Sequence, residues 1–161
     1  MEVRLAHSGD SEAIRAIYNA EVTGSTATFD IVERTAAQQL AWLEHHSGAH
    51  PAVVAVSDGV VRGFGSLSPY KERAAYATSV EDSVYVDAAW RRKGVGGVVL
   101  LELVELATRH GFHTVIGRIA GGNEASVSLH ERCGFQVIGV EREVGRKFGR
   151  WLDVTIVQRM L

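Results

Sequence analysis

The sequence predicts a single α/β domain built on a mixed sheet, and three patterns in it carry that prediction. Apolar stretches on either side of Asp58-Gly59 make an antiparallel hairpin, because Asp-Gly favours the two-residue turns whose twist matches that of paired strands. The segment from Val84 to Ile119 reads strand, helix, strand, so its two strands run parallel with a right-handed crossover. Two more β-branched stretches close the chain with no helix between them. Hairpins together with one crossover imply a sheet that is neither purely parallel nor purely antiparallel.

Glu2 to Ala6 is a strand, followed by a helix from about Asp10 to Glu21 with Ala13, Ile14, Ile17 and Tyr18 on one face. Thr23 to Asp30 reads as a loop. Thr35 with Gln38 three residues on is a capping-box start for a second helix through Leu40 and Leu43, ended by Gly48. Ala52–Val56 and Val60–Leu67 form the hairpin, and about Thr78 to Val86 forms the next strand. The following helix runs to His110, with Gly111 as its C-terminal cap. Thr114–Ile119, a helix over about Glu124 to Arg132, and strands near Val137–Val144 and Leu152–Met160 complete the order.

At 161 residues and 46% hydrophobic content, the chain suits one domain, residues 1–161, with a substantial core. Seventeen basic and nineteen acidic residues leave a formal charge of −2, too little field to attract nucleic acid or an anionic membrane. The single Cys133 excludes an intrachain disulfide framework. Without a signal-peptide pattern or a bilayer-length apolar run, a soluble cytoplasmic protein is expected. His46 and His50 have helical spacing, but Gly48 and Pro51 interrupt any helix there and no third ligand accompanies them, so no metal is expected.

Arg91-Arg92-Lys93-Gly94-Val95-Gly96 joins the strand ending Val84-Tyr85-Val86 to an apolar helix. The amides of a helix's first turn lack intrahelical partners, and the aligned peptide dipoles favour an anion there. Gly94 and Gly96 let the backbone approach phosphate oxygens, and the three cations add charge; the bland alternative is a glycine-rich turn with solvated charges. A dinucleotide fingerprint would need a third glycine or alanine where Val99 stands, and a P-loop would need Gly-Lys-Ser or Gly-Lys-Thr. Neither is present.

Arg-x-x-Gly-x-Gly after Val-Tyr-Val resembles the coenzyme A loop of the GCN5-related N-acetyltransferases. Further blocks resemble the phosphinothricin and methionine sulfoximine acetyltransferase branch: Ile17-Tyr18-Asn19, Val80-Glu81-x-Ser83-Val84-Tyr85-Val86, Asn123-x-x-Ser126-x-x-Leu129-His130, and the tail from Val144 to Asp153. The resemblance implies the GNAT acetyltransferase fold, a mixed and mostly antiparallel sheet with a central splayed parallel strand pair and helices on both faces. It also implies acetyl-CoA as cosubstrate, an amino-acid-like amine as acceptor, and a homodimer. In that fold the pantetheine arm binds the backbone of Val84, Tyr85 and Val86, and Arg91, Arg92, Lys93, Gly94, Val95 and Gly96 hold the pyrophosphate. Asn123 and Ser126 become candidates for the arm, although Asn123 serves equally as a helix cap.

An aliphatic ammonium must lose its proton before attacking a thioester, which from three pKa units at neutral pH costs about 4 kcal/mol. Glu81 matches the position of the branch's proposed catalytic glutamate and is the candidate base; otherwise it is a solvent-facing strand carboxylate. His130 stands where much of the superfamily carries a tyrosine thought to protonate the departing thiolate. Acid, second base, orienting donor and buried structural histidine all remain open for it. Lys71, Arg73 and Tyr76, before the catalytic strand, are candidates for the acceptor's anionic groups or a solvated loop, and Phe29 for the acceptor pocket or the core. The methionine sulfoximine subgroup carries arginine where Ala77 stands. A coenzyme A sensor without turnover, and an acetyltransferase of protein N-termini, are the alternatives. A cysteine enzyme using Cys133 and His130 is set aside, because a cysteine before Gly134-Phe135 reads as a packed helix end.

Overall fold

The computed structural model describes residues 1–161. In chain order the elements are β1 (Glu2–Leu5), α1 (Ser11–Gly24), α2 (Ala36–His45), β2 (Ala52–Ser57), β3 (Val60–Pro69), β4 (Ser79–Val86), α3 (Val95–Arg109), β5 (Thr114–Ala120), α4 (Glu124–Arg132), β6 (Gln136–Lys147) and β7 (Arg150–Met160). They form one seven-stranded sheet in the order β1-β2-β3-β4-β5-β7-β6. Every neighbouring pair is antiparallel except β4 and β5. The mixed sheet expected from the hairpins and the single crossover is the one observed.

Strand alternation divides the core into two layers. Val53 and Ala55 of β2 pack with Val99, Leu100 and Leu103 of α3. Their neighbours Ala52 and Val54 turn to the other face, where Ile14, Tyr18 and Val22 of α1 and Leu43 of α2 cover them with Phe64. Thr35 caps α2, accepting from the amide of Gln38 at 3.1 Å while the Gln38 side chain accepts from the Thr35 amide at 2.9 Å.

The main differences from the sequence reading are at element ends. α1 runs on to Gly24, so the loop expected from Thr23 begins only at Ser25, whose amide bonds back to the Glu21 carbonyl at 3.1 Å. β6 and β7 extend to Lys147 and Arg150, leaving Phe148-Gly149 as a two-residue turn with both φ positive, 53° and 71°. Turn chemistry of that kind carries the strands to the hairpin tip. No helix is long and apolar enough to cross a membrane.

Candidate active site

The β4–β5 ladder pairs Ser79 with Thr114 through Asp82 with Gly117 and stops there. Beyond that point β4 stays paired with β3 as far as Val86, and β5 with β7 as far as Ala120. The two strands therefore part while each is held from outside. Their facing edges, 83–86 and 118–120, are left without a neighbour. Backbone donors and acceptors on such an edge need partners, and an extended ligand bearing amides can act as the missing strand. Val84, Tyr85, Asn123, Ser126 and His130 line the resulting cleft, as do Asp82, Arg118 and Ala27.

The loop from Arg91 leads straight into α3 at the mouth of the cleft. Gly94 is the N-cap with φ 83°, a conformation that glycine adopts without strain. Val98 is the first residue whose amide bonds back along the helix, to Gly94 at 3.2 Å, so the amides of 95–97 have no backbone partner, the condition under which a helix start can receive an anion. Of the three cations, Arg92 is exposed and Lys93 lies 4.7 Å over the Trp90 ring. Arg91 instead pairs with Glu21 on α1.

Glu81 is half-buried and, by alternation, faces away from the α3 side to which Val80 and Asp82 point. Burial raises its pKa above the usual glutamate value, partly offset by the positive charge of Arg118 and assisted by the negative charge of Asp82. A carboxylate tuned upward is a better proton acceptor at neutral pH than a solvated one.

His130 occupies the floor of the cleft at 4% exposure. Its Nδ1 lies 2.8 Å from the Ser126 carbonyl one helical turn back, and its Nε2 lies 2.9 Å from Oδ2 of Asp82. A carbonyl only accepts, so Nδ1 carries a hydrogen, and Nε2 donates to the carboxylate when the ring is charged. Burial works against that charge, but the hydrogen bond and charge of Asp82, with the Ser126 carbonyl, outweigh it and raise the His130 pKa. Both ring nitrogens are thus engaged within the protein. Asp82 was not singled out in the sequence. It is 5% exposed, and its Oδ1 has no hydrogen-bond partner. Gly117 makes room for the pair: a Cβ there would stand 2.7 Å from Val157 Cγ2, 3.0 Å from Asp82 Oδ1 and 3.1 Å from His130 Nε2.

Asn123 caps α4, its Oδ1 accepting from the Ser126 amide at 3.2 Å. Phe29 packs its ring on Gly145 of β6 and is 39% exposed at the edge of a second groove with Trp42 and Arg34. The structure does not bring Lys71, Arg73 and Tyr76 to the cleft lining. They lie in the exposed β3–β4 connection, where the Lys71 ammonium sits 5.0 Å from the Tyr70 ring and 5.3 Å from the Tyr76 ring. Within the tail, Lys147 is buried and donates to the Thr28 carbonyl at 2.9 Å, which fixes the loop after α1 against the β6–β7 hairpin. Cys133 is buried in the same core cluster as Phe135, and burial raises its pKa, which disfavours the thiolate.

A parallel pair that parts beside a glycine-capped helix start is the arrangement that the sequence resemblance led us to expect of a coenzyme A-dependent acyltransferase. The chain belongs to the acetyltransferase (GNAT) family, whose profile matches residues 13–135. It is 37% identical over 158 residues to the L-methionine sulfoximine/L-methionine sulfone acetyltransferase of Pseudomonas aeruginosa, covering 97% of this chain and 92% of that one. The fold matches a phosphinothricin acetyltransferase of Sinorhizobium meliloti solved in complex with AcCoA, with TM-score 0.96 and 35% identity over 99% of this chain and 88% of that one. It equally matches a ribosomal-protein-alanine N-acetyltransferase of Brucella melitensis, with TM-score 0.97, 36% identity and full coverage of both chains. The chain is therefore an N-acetyltransferase.

Proposed function

We propose that the protein transfers the acetyl group of acetyl-CoA to the amine of a small amino-acid-like substrate of the methionine sulfoximine or phosphinothricin kind. The observation that carries this reading is the end of the β4–β5 ladder at Asp82 and Gly117, beyond which the free end of β4 reaches the start of α3, where a Cβ on Gly96 would stand 3.6 Å from Val86 Cγ2. The free edge of Val84, Tyr85 and Val86 fits a pantetheine arm, and Asn123 and Ser126 flank it from α4. The amides of Val95 and Gly96, with the cations of Arg92 and Lys93, fit a pyrophosphate. Bound there, the coenzyme supplies a thioester, an acyl group activated toward an amine.

Glu81 takes the proton from the acceptor ammonium, directly or through one water, and leaves a lone pair free to attack. His130 and Asp82 act together on the other face of β4, where the charged ring and the carboxylate hold one proton between them at the point where the strands part. Phe29 and the loop before it wall the acceptor side, and Lys71, Arg73 and Tyr76 remain our candidates for its anionic groups. We place this activity in the cytoplasm and in a homodimer, a state supported by the apolar Val137, Val140 and Val144 exposed along the edge strand β6.

The test is amine-dependent acetyl-CoA consumption, with Glu81→Gln lowering kcat while leaving acetyl-CoA affinity unchanged. Tight acetyl-CoA binding with no turnover across a broad amine panel would identify a sensor instead. The Brucella structural neighbour supports one second reading, acetylation of a protein N-terminal alanine, which an alanine-terminated peptide in the same panel tests.

A further inference from the structure

Glu21 lies in the last turn of α1 at 7% exposure, far from β4 in sequence, and no motif drew attention to it. Its carboxylate is divided between two partners: one oxygen pairs with the guanidinium of Arg91, and the other accepts from the Ser25 hydroxyl. The Ser25 oxygen in turn accepts from the Ala27 amide at 3.1 Å. The Glu21 carbonyl receives the Ser25 amide at 3.1 Å and the Lys147 ammonium at 3.4 Å. One residue thus joins the phosphate loop, the start of the 25–30 loop and the β6–β7 hairpin. That loop places Ala27 in the cleft lining and Phe29 against Gly145.

For the Arg91 nitrogen that holds Glu21 to reach a phosphate it would have to leave a carboxylate whose side chain is only 10% exposed. Abandoning a buried charge without a replacement is strongly unfavourable. Arg92 and Lys93 carry no such commitment.

We infer that Arg91 and Glu21 form one positioning unit: the first arginine of the phosphate loop serves the acceptor side, holding residues 25–30 in place through Glu21, and is not a phosphate ligand. This rests on the reading that the cleft is the site of acetyl transfer.

The experiment compares Arg91→Gln, Glu21→Gln and the double variant by hydrogen exchange over residues 25–30, by calorimetric titration with acetyl-CoA, and by kcat/KM for the accepted amine. Arg91 is half-exposed and glutamine is nearly isosteric with Glu21, so folding is retained; thermal unfolding verifies it. Each single variant speeds exchange at Ala27 and Asp30 and lowers kcat/KM for the amine about tenfold, the penalty expected when a positioning element loosens. The acetyl-CoA dissociation constant changes by less than about twofold, and the double variant is no worse than either single one, as for residues acting through one contact. Arg91→Lys, which retains the charge, restores slow exchange. A tenfold rise in the acetyl-CoA dissociation constant for Arg91→Gln, or unchanged exchange over residues 25–30, would overturn the inference. Absence of turnover in the wild-type protein would count against the function instead, because the exchange and titration readouts need no acceptor.

Discussion

Replacing Asp82 with asparagine tests the buried pair beneath the cleft. In the wild-type protein the folded-state pKa of His130 is raised, so the pair contributes stability that is fully present below the ordinary histidine value of 6.5 and is lost as pH rises through the raised value. Without the carboxylate charge, burial becomes the dominant influence and lowers the His130 pKa. The contribution then reverses: it is present above 6.5 and lost as pH falls below it. The side chains are 5% and 1% exposed and their separation is 2.9 Å, so solvent screens them little. Asparagine can still hydrogen-bond to Nε2, which limits the loss to about 2 kcal/mol, the value for a charged hydrogen bond rather than for a fully abandoned charge. In a domain of this size that lowers Tm by roughly 4–8 °C. The assay is thermal unfolding of both proteins in parallel from pH 5.5 to 9. The difference in Tm is expected to be largest at the acidic end and to close toward pH 9, because all other titrating groups cancel in the comparison. A gap of constant size across the range would refute the shared-proton account of His130 and Asp82.

Three further outcomes follow from the same geometry. Glu81→Gln lowers kcat by about 10²- to 10⁴-fold. It also removes the acidic limb of the kcat/KM profile, which in the wild-type enzyme rises with pH through a value above the ordinary 4.5 as Glu81 loses its proton. Gly117→Ala destabilises by about 1–3 kcal/mol by overpacking, read from denaturant unfolding, because its Cβ has nowhere to go between Val157 and the Asp82–His130 pair. Arg92→Ala and Lys93→Ala each weaken acetyl-CoA binding several-fold at low ionic strength, and the difference narrows when titrations are repeated in salt, as expected for exposed cations on a phosphate.

What could be read from the chain divides by how local its cause is. The turn from Arg91 to Gly96 into a helix start was legible because strand, Gly94, Gly96 and helix are contiguous. Hairpin and crossover followed from turn residues and periodicity for the same reason. Glu81 stood out through the resemblance alone, since a single strand carboxylate has many uses. Asp82 was missed although a signal existed: Val80, Asp82 and Val84 alternate onto one face of a strand whose partner residues are apolar, so a carboxylate there demands a buried partner. Its identity as His130 depends on a contact 48 residues away. The pairing of Arg91 with Glu21 across 70 residues had no local signal at all, and the three cations of the loop looked equivalent until the fold brought α1 beside one of them. Lys71, Arg73 and Tyr76 formed a coherent cluster in the sequence, and the structure keeps Lys71 and Tyr76 together, but in contact with Tyr70 and outside the cleft lining.

Acetyl transfer itself is tested most directly by incubating the protein with acetyl-CoA and, separately, methionine sulfoximine, methionine sulfone, phosphinothricin, ordinary amino acids and an alanine-terminated peptide, with the products identified by mass. The account predicts release of coenzyme A matched mole for mole by an N-acetylated amino-acid-like product. Acetylation confined to the peptide, or saturable acetyl-CoA binding with no acetylated product from any amine, would contradict it.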